Sequence, residues 1–211
     1  MAGHSMGSLH ELHLGQVLDN ADPESRGRIQ VRLHATGLEL WASVMVPSAG
    51  NGYGISWLPR QEEQVVVAFL SPDQPLVIGS VWSGSSSAPS DASPVEQRYF
   101  IQTPQGIKFL MDDNAPKVRI ETPAQYHITI DDGAQTVVVE KGGEKIEMSS
   151  SGITLTTSSN IKLNASQVEV NASMVTVNSG MSKFSGVVQC DTLISNSVVS
   201  SSYTPGAGNI W

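Results

Sequence analysis

The chain has 211 residues, 15% of them charged and 6% aromatic, and a formal net charge of -8. That balance excludes a basic nucleic-acid-binding face, and the abundance of Gly, Ser, Thr, Asn and Val suits strands and turns better than helices. Every apolar run falls short of the roughly 18 residues that a membrane span needs, and one cysteine, Cys190, excludes an intrachain disulfide framework and reads as a small buried hydrophobe.

In chain order, residues 1–12 read as a flexible lead-in, without the cationic start and apolar core of a signal peptide. Synthesis in the bacterial cytoplasm without a leader is therefore expected. From residue 13 to 82 the pattern is that of a small closed barrel of about five strands. "HLGQVLDN" is a strand ending in turn residues, and "NADPESRGRIQVRL" is a loop running into a strand that alternates Ile29, Val31 and Leu33 against Arg28, Gln30 and Arg32. "LWASVMVPSAG" follows with Trp41, Val44 and Val46. Two more runs, Val65–Leu70 and Leu76–Trp82, flank "SPDQP", whose residues suit a hairpin turn. Residues 83–100 read as a flexible linker, opened by the Ser/Pro-rich "SGSSSAPSDASP".

Beyond the linker, apolar pairs at i and i+2 recur with a shortening interval. They are Ile107/Phe109, Val118/Ile120, Ile128/Ile130, Val137/Val139, Ile146/Met148, Ile153/Leu155, Ile161/Leu163, Val168/Val170 and Val175/Val177. Alternation sets each pair on one strand face, and the last intervals settle near seven residues, enough for a short strand and a tight turn. Asn164, Asn171 and Asn178 fall at the expected corners, where Asn tolerates the left-handed backbone. Two architectures fit such a quasi-one-dimensional repeat. One chain could coil as a parallel β-helix, or three chains could wind together, each giving a strand to each face of a triangular prism. A short single-chain coil leaves unpaired edges at both ends, which favours three chains.

Chemistry-bearing motifs are few. "GHSMG" at Gly3–Gly7 matches a nucleophile elbow but lacks the preceding strand and following helix that the motif requires. "GNGYG" at Gly50–Gly54 has no helix behind it to hold a pyrophosphate and reads as a loop between barrel strands. Asp112/Asp113 and Asp131/Asp132 read as turn formers rather than calcium ligands. His10 and His13 lie in the lead-in without the second ligand pair that zinc needs. No catalytic, cofactor or metal site is expected.

The blocks "DPESRGRIQVR" (Asp22–Arg32), "AGNGYGISWLPR" (Ala49–Arg60), "EQVVVAFL" (Glu63–Leu70) and "PLVIGSVW" (Pro75–Trp82) resemble the OB-fold domain of phage baseplate central spikes. The same domain occurs in the VgrG spikes of type VI secretion and in extracellular contractile injection systems. The resemblance implies an all-β protein, a small OB-fold barrel followed by an intertwined trimeric β-helix, or β-prism, as a needle over residues 101–190. It implies a homotrimer in a virion tail baseplate or equivalent contractile particle, with a hub protein at the barrel end and the target cell envelope at the other. The function so implied is force transmission and puncture, without catalysis or nucleic acid.

Three departures qualify it. No lysozyme domain separates barrel from needle, and no large N-terminal hub domain is fused, so a separate hub protein is expected. No His follows His127, so the apical iron site of some relatives is not expected. Residues 191–211 break the beat and read as a tip, closed by Leu193, Ile194, Val198, Val199, Tyr203 and Trp211 or docked to a small conical cap protein. Tyr203, Ile210 and Trp211 are the candidate tip or cap-docking residues. The alternative is a β-solenoid binding module or adhesin with an OB-fold ligand-binding domain, which a monomeric mass would favour.

Overall fold

The computed structural model describes residues 12–84 and 86–202. The chain divides into two units, Met1–Ile161 and Lys162–Trp211. Among the described residues there is no α-helix, and none is long and apolar enough to cross a membrane.

Period-two alternation builds the first half. Strand β1 (His13–Asp19) turns His13, Gly15 and Val17 inward, and β2 (Ile29–Leu33) turns Ile29, Val31 and Leu33 inward. Strand β3 (Glu39–Val44) buries Ala42, with Leu40 and Val44 packed beside it. A two-stranded arm follows, β4 (Ala49–Gly50) and β5 (Tyr53–Gly54), turning at Asn51 and Gly52. Gly52 has φ +77°, a conformation that a side chain would strain. Strands β6 (Gln64–Ser71) and β7 (Gln74–Val81) form the hairpin expected around "SPDQP".

These five longer strands close in the order β1-β2-β3-β7-β6, with only the β3–β7 contact parallel. Val17, Ile29, Val31, Leu33, Ala42, Val65, Val67 and Val77 fill the barrel. Gly15 is required by close approach of β1 to β2, since a Cβ there would run into the Val31 side chain and the Arg32 carbonyl.

Asp22 explains the "DPESRGR" loop. Its carboxylate accepts the backbone N–H groups of Glu24, Arg26 and Arg28 and two bonds from the Arg28 guanidinium. Those bonds hold its pKa far below the ordinary carboxylate range, with the Arg28 side chain the largest cause. The loop is thereby fixed where it feeds Ile29 into the core.

Trp41 lies on the opposite side of β3 from Val44, because three residues along a strand reverse the side. It lies outside the barrel under the Arg28 guanidinium, 5.8 Å from its ring centre. His13 belongs not to a loose lead-in but to the barrel wall, buried with its ring edge against Phe69.

The stretch read as linker is anchored along its second half. A 3-10 turn at Ser90–Ala92 puts Asp91 against Lys108, 2.5 Å apart. Arg98 donates to the Ser93 carbonyl at 3.0 Å and to the Asp112 carboxylate at 2.9 Å. Strand β8 (Arg98–Gln102) already starts inside the expected linker.

From β8 the chain forms a seven-stranded meander. Its other members are β9 (Lys108–Asp112), β10 (Lys117–Glu121), β11 (His127–Asp131), β12 (Thr136–Lys141), β13 (Glu144–Ser149) and β14 (Gly152–Thr156). Each strand pairs antiparallel with the next. A parallel single-chain coil is therefore not what residues 98–156 build. Within this single chain, each strand of the stretch finds its partners in its own sequence.

In the second unit, residues 162–202 run without strands and are exposed throughout. Strand pairing needs a neighbouring backbone, and this segment pairs with none of its own. Among the described residues only Ser25, Glu62, Gln125 and Gln135 are left-handed without being glycine. Asn164, Asn171 and Asn178 do not use the left-handed conformation expected of them. Cys190, read as buried, is exposed.

Candidate assembly interface

The meander's registers bring the apolar pairs into two straight rows on one face. Ile101, Phe109, Ile120, Ile128, Val139, Ile146 and Leu155 stand opposite one another across all seven strands. Tyr99, Met111, Val118, Ile130, Val137, Met148 and Ile153 form the second row. Seven strands at about 4.8 Å make this band roughly 29 Å long, and i to i+2 spacing sets the rows about 7 Å apart. Most of its members are open to solvent in the single chain, Ile128 at 42% and Ile153 at 72%. An uninterrupted apolar band of this size marks an interface.

The sequence reading placed five of the seven strand pairs within this register, from Val118/Ile120 to Ile153/Leu155. It misplaced one. Ile107 precedes β9, so the β9 pair is Phe109/Met111, a shift that "GIKFLM" hides because apolar residues occupy both alternations. It also missed Tyr99/Ile101, since "YFI" is continuously apolar and adjoins the linker composition.

The reverse face is charged in alternation. Arg98, Asp112, Lys117 and Asp131 succeed one another across β8 to β11. Lys108, Glu121, His127, Glu140 and Lys145 do so across β9 to β13. Opposite charges facing across strands support the sheet and fix its register. Arg98 meets Asp112 at 2.9 Å, Lys117 meets Asp131 at 2.7 Å, and Lys145 pairs with Glu147. Asp112 and Asp131 also form turns, accepting the backbone N–H groups of Asn114 and of Ala134 respectively.

These bonds give the reverse face a definite acid response. The Arg98 side chain, then the backbone N–H of Ala115, hold Asp112 below the ordinary value of 3.8, and Lys117 does the same for Asp131. A depressed carboxylate pKa contributes stability that is fully present above the unfolded value and is lost as pH falls through the folded one. Thermal melts should therefore decline below about pH 4. Asp112→Asn with Asp131→Asn should flatten that decline, and an unchanged acid limb would rule these two groups out as its cause.

Among the described residues no three His, Cys, Asp or Glu side chains cluster as a metal-binding set. "GNGYG" is the β4–β5 arm, a loop between barrel strands as expected. "GHSMG", His10 and the tip candidates Tyr203, Ile210 and Trp211 lie outside the described residues.

Residues 13–82 match the family model of the type VI secretion system/phage-baseplate injector OB domain, which spans β1 to β7. Residues 117–181 match that of the phage baseplate V C-terminal trimerisation domain, which takes in β10 to β14 and continues into the second unit. Comparison with curated proteins found no match. An injector barrel and a trimerisation domain thus stand in tandem over more than half of the sequence, and the chain belongs to the baseplate spike family of phages and type VI secretion systems.

Proposed function

We propose that the protein is the central spike of a contractile tail or injection-system baseplate, a homotrimer that transmits force and punctures the target cell envelope. The observation that carries this reading is the pair of in-register apolar rows. Three such faces turned to one axis would shield each other, with the charged faces outward. The second unit supports the same state, because its seven-residue beat continues with no strand partner in its own chain. A single chain exposes 17030 Å², whereas a self-contained protein of 22.5 kDa exposes about 9,500 Å².

In this reading the barrel docks on a separate hub protein and the needle begins at β8 rather than at residue 101. Residues 191–211 form the tip, where Tyr203, Ile210 and Trp211 close the end or hold a small conical cap. Nothing in the mechanism requires catalysis. Load passes through backbone ladders, and bending would have to separate paired strands. Three copies of a chain of charge -8 repel one another side by side, which keeps slender particles apart.

Light scattering in dilute solution tests the reading. The intact chain should have three times the chain mass, and a fragment of residues 1–84 should be a monomer. A chain ending at residue 202 should stay a soluble trimer if the tip holds a cap, and aggregate if the tip closes itself. A monomeric intact chain would reject the spike reading.

A further inference from the structure

The two-stranded arm has no use in the barrel's own fold. Strands β4 and β5 pair with each other and, among the described strands, with no other. Every residue from Ala49 to Gly54 is exposed. The tip nevertheless has a definite shape. Tyr53 stands opposite Gly50 and lays its ring on it, in the space that a Cβ would fill. An aromatic ring covering a cross-strand glycine stiffens such a pair. The ring is therefore held in place, yet Tyr53 is 74% exposed. The stretch that carries it has no charged residue between Glu39 and Arg60.

A cleft of about 560 Å³ lies where the barrel meets β8. Trp57, Trp82, Phe100 and Ile101 supply its apolar wall, and Ser80 and Gln102 add hydrogen-bonding groups. Trp57 and Trp82 are 66% and 69% exposed. In its own chain Tyr53 takes no part in this wall. Ile101 is also the first residue of the first apolar row, opposite Phe109. The cleft is thus continuous with the face that carries the two rows.

We propose that the β4–β5 arm of one chain seats Tyr53 in the Trp57/Trp82 cleft of the next chain, three times around the axis. The proposal rests on the trimer reading above and adds the contact that holds the barrels. Copies around a threefold axis meet heterologously, so each must offer two different and complementary surfaces. The arm is a projecting, uncharged element with an aromatic tip, and the cleft is a hollow with an aromatic wall. A closed ring, unlike an open helix, also needs the two surfaces at one height along the axis. Trp57 follows Tyr53 by four residues, at most about 14 Å of extended chain, so arm and cleft flank the same junction. A tyrosine that becomes buried needs a partner for its hydroxyl, which Ser80 or Gln102 offers. A ring already fixed on Gly50 loses little freedom on docking. The consequence is mechanical. Each barrel is clasped to the first strand of its neighbour's sheet, so load entering one barrel reaches more than one sheet.

The test uses the purified full-length chain alone, with photoreactive benzoylphenylalanine in place of Tyr53 or, as control, of Thr129 on the charged face. After irradiation and boiling, position 53 should give bands of two and three chain masses on a denaturing gel. Peptide mapping should place its adducts on Trp57, Trp82, Phe100 or Ile101. Position 129 should give single chains. In protein that is trimeric by light scattering, single chains from position 53, adducts mapped elsewhere, or an equal ladder from position 129 would each overturn the proposal. Trp82→Asp in the position-53 protein should leave the trimer, which the apolar rows hold, and lower the yield of joined chains at least tenfold. An undiminished yield would overturn the assignment of the cleft. Protein that is monomeric before irradiation would instead fail the trimer reading.

Discussion

Ile128→Asp should abolish the trimer, leaving monomer or aggregate at micromolar concentration, while Thr129→Asp should keep it. Ile128 occupies the centre of the first apolar row, opposite Ile120 on one side and Val139 on the other. In a threefold assembly the substitution would place three carboxylates around one axis. Each costs several kcal/mol to bury without a partner, and about 1.4 kcal/mol already changes an equilibrium tenfold. Thr129 is the next residue, so it points to the reverse face, where it stands opposite Arg119. An added carboxylate there gains a cation and should shift stability by no more than about 0.5 kcal/mol. Light scattering and melting of both variants decide the matter. Equal loss of trimer would mean that the interface is not the face carrying the two rows.

The parts of the fold legible in the sequence are those where one physical rule governs alone. Ile29, Val31 and Leu33 alternate cleanly with polar neighbours, and all three are buried. The pairs from Val118/Ile120 to Ile153/Leu155 are separated by charged or turn residues, so alternation alone fixes their face. Trp41 has the bulk and apolarity of a core residue, but strand parity puts it outside with Arg28. Strand β8 was hidden because the linker's Ser/Pro composition runs up to Pro94 and Tyr99, Phe100 and Ile101 give no alternation. The anchoring of Asp91 could not be read at all, since it depends on Lys108 and Arg98 arriving from later strands.

The intertwined prism expected from residue 101 is more subtle. Spacing shows how often a strand recurs but not whose backbone it meets. Intervals of nine to eleven residues, over most of β9 to β12, allow a strand and a full reversing turn, and there the chain pairs antiparallel with itself. The interval first shortens to seven from Ile146 to Ile153, where β13 and β14 still pair antiparallel, and self-pairing stops after β14.

That change of regime predicts a large difference in amide hydrogen exchange. Ile161, Leu163, Val168, Val170, Val175 and Val177 keep the strand alternation, yet residues 162–202 contain no strand in the single chain. In the trimer their backbone groups should pair with neighbouring chains, and opening would require parting the chains. An opening free energy of about 4 kcal/mol corresponds to roughly a thousandfold slowing. Amides between 161 and 177 should therefore be protected by at least about that factor in the wild-type trimer. In the Ile128→Asp protein they should exchange at the rate of an unpaired chain. The barrel supplies the internal control, because β1, β2, β3, β6 and β7 pair within one chain and bury their own core. Their amides should stay protected in both proteins. If residues 161–177 exchange as fast in the trimer as in the variant, the seven-residue beat does not build an inter-chain ladder. If the barrel loses protection along with them, Ile128 acts on the whole fold rather than on assembly.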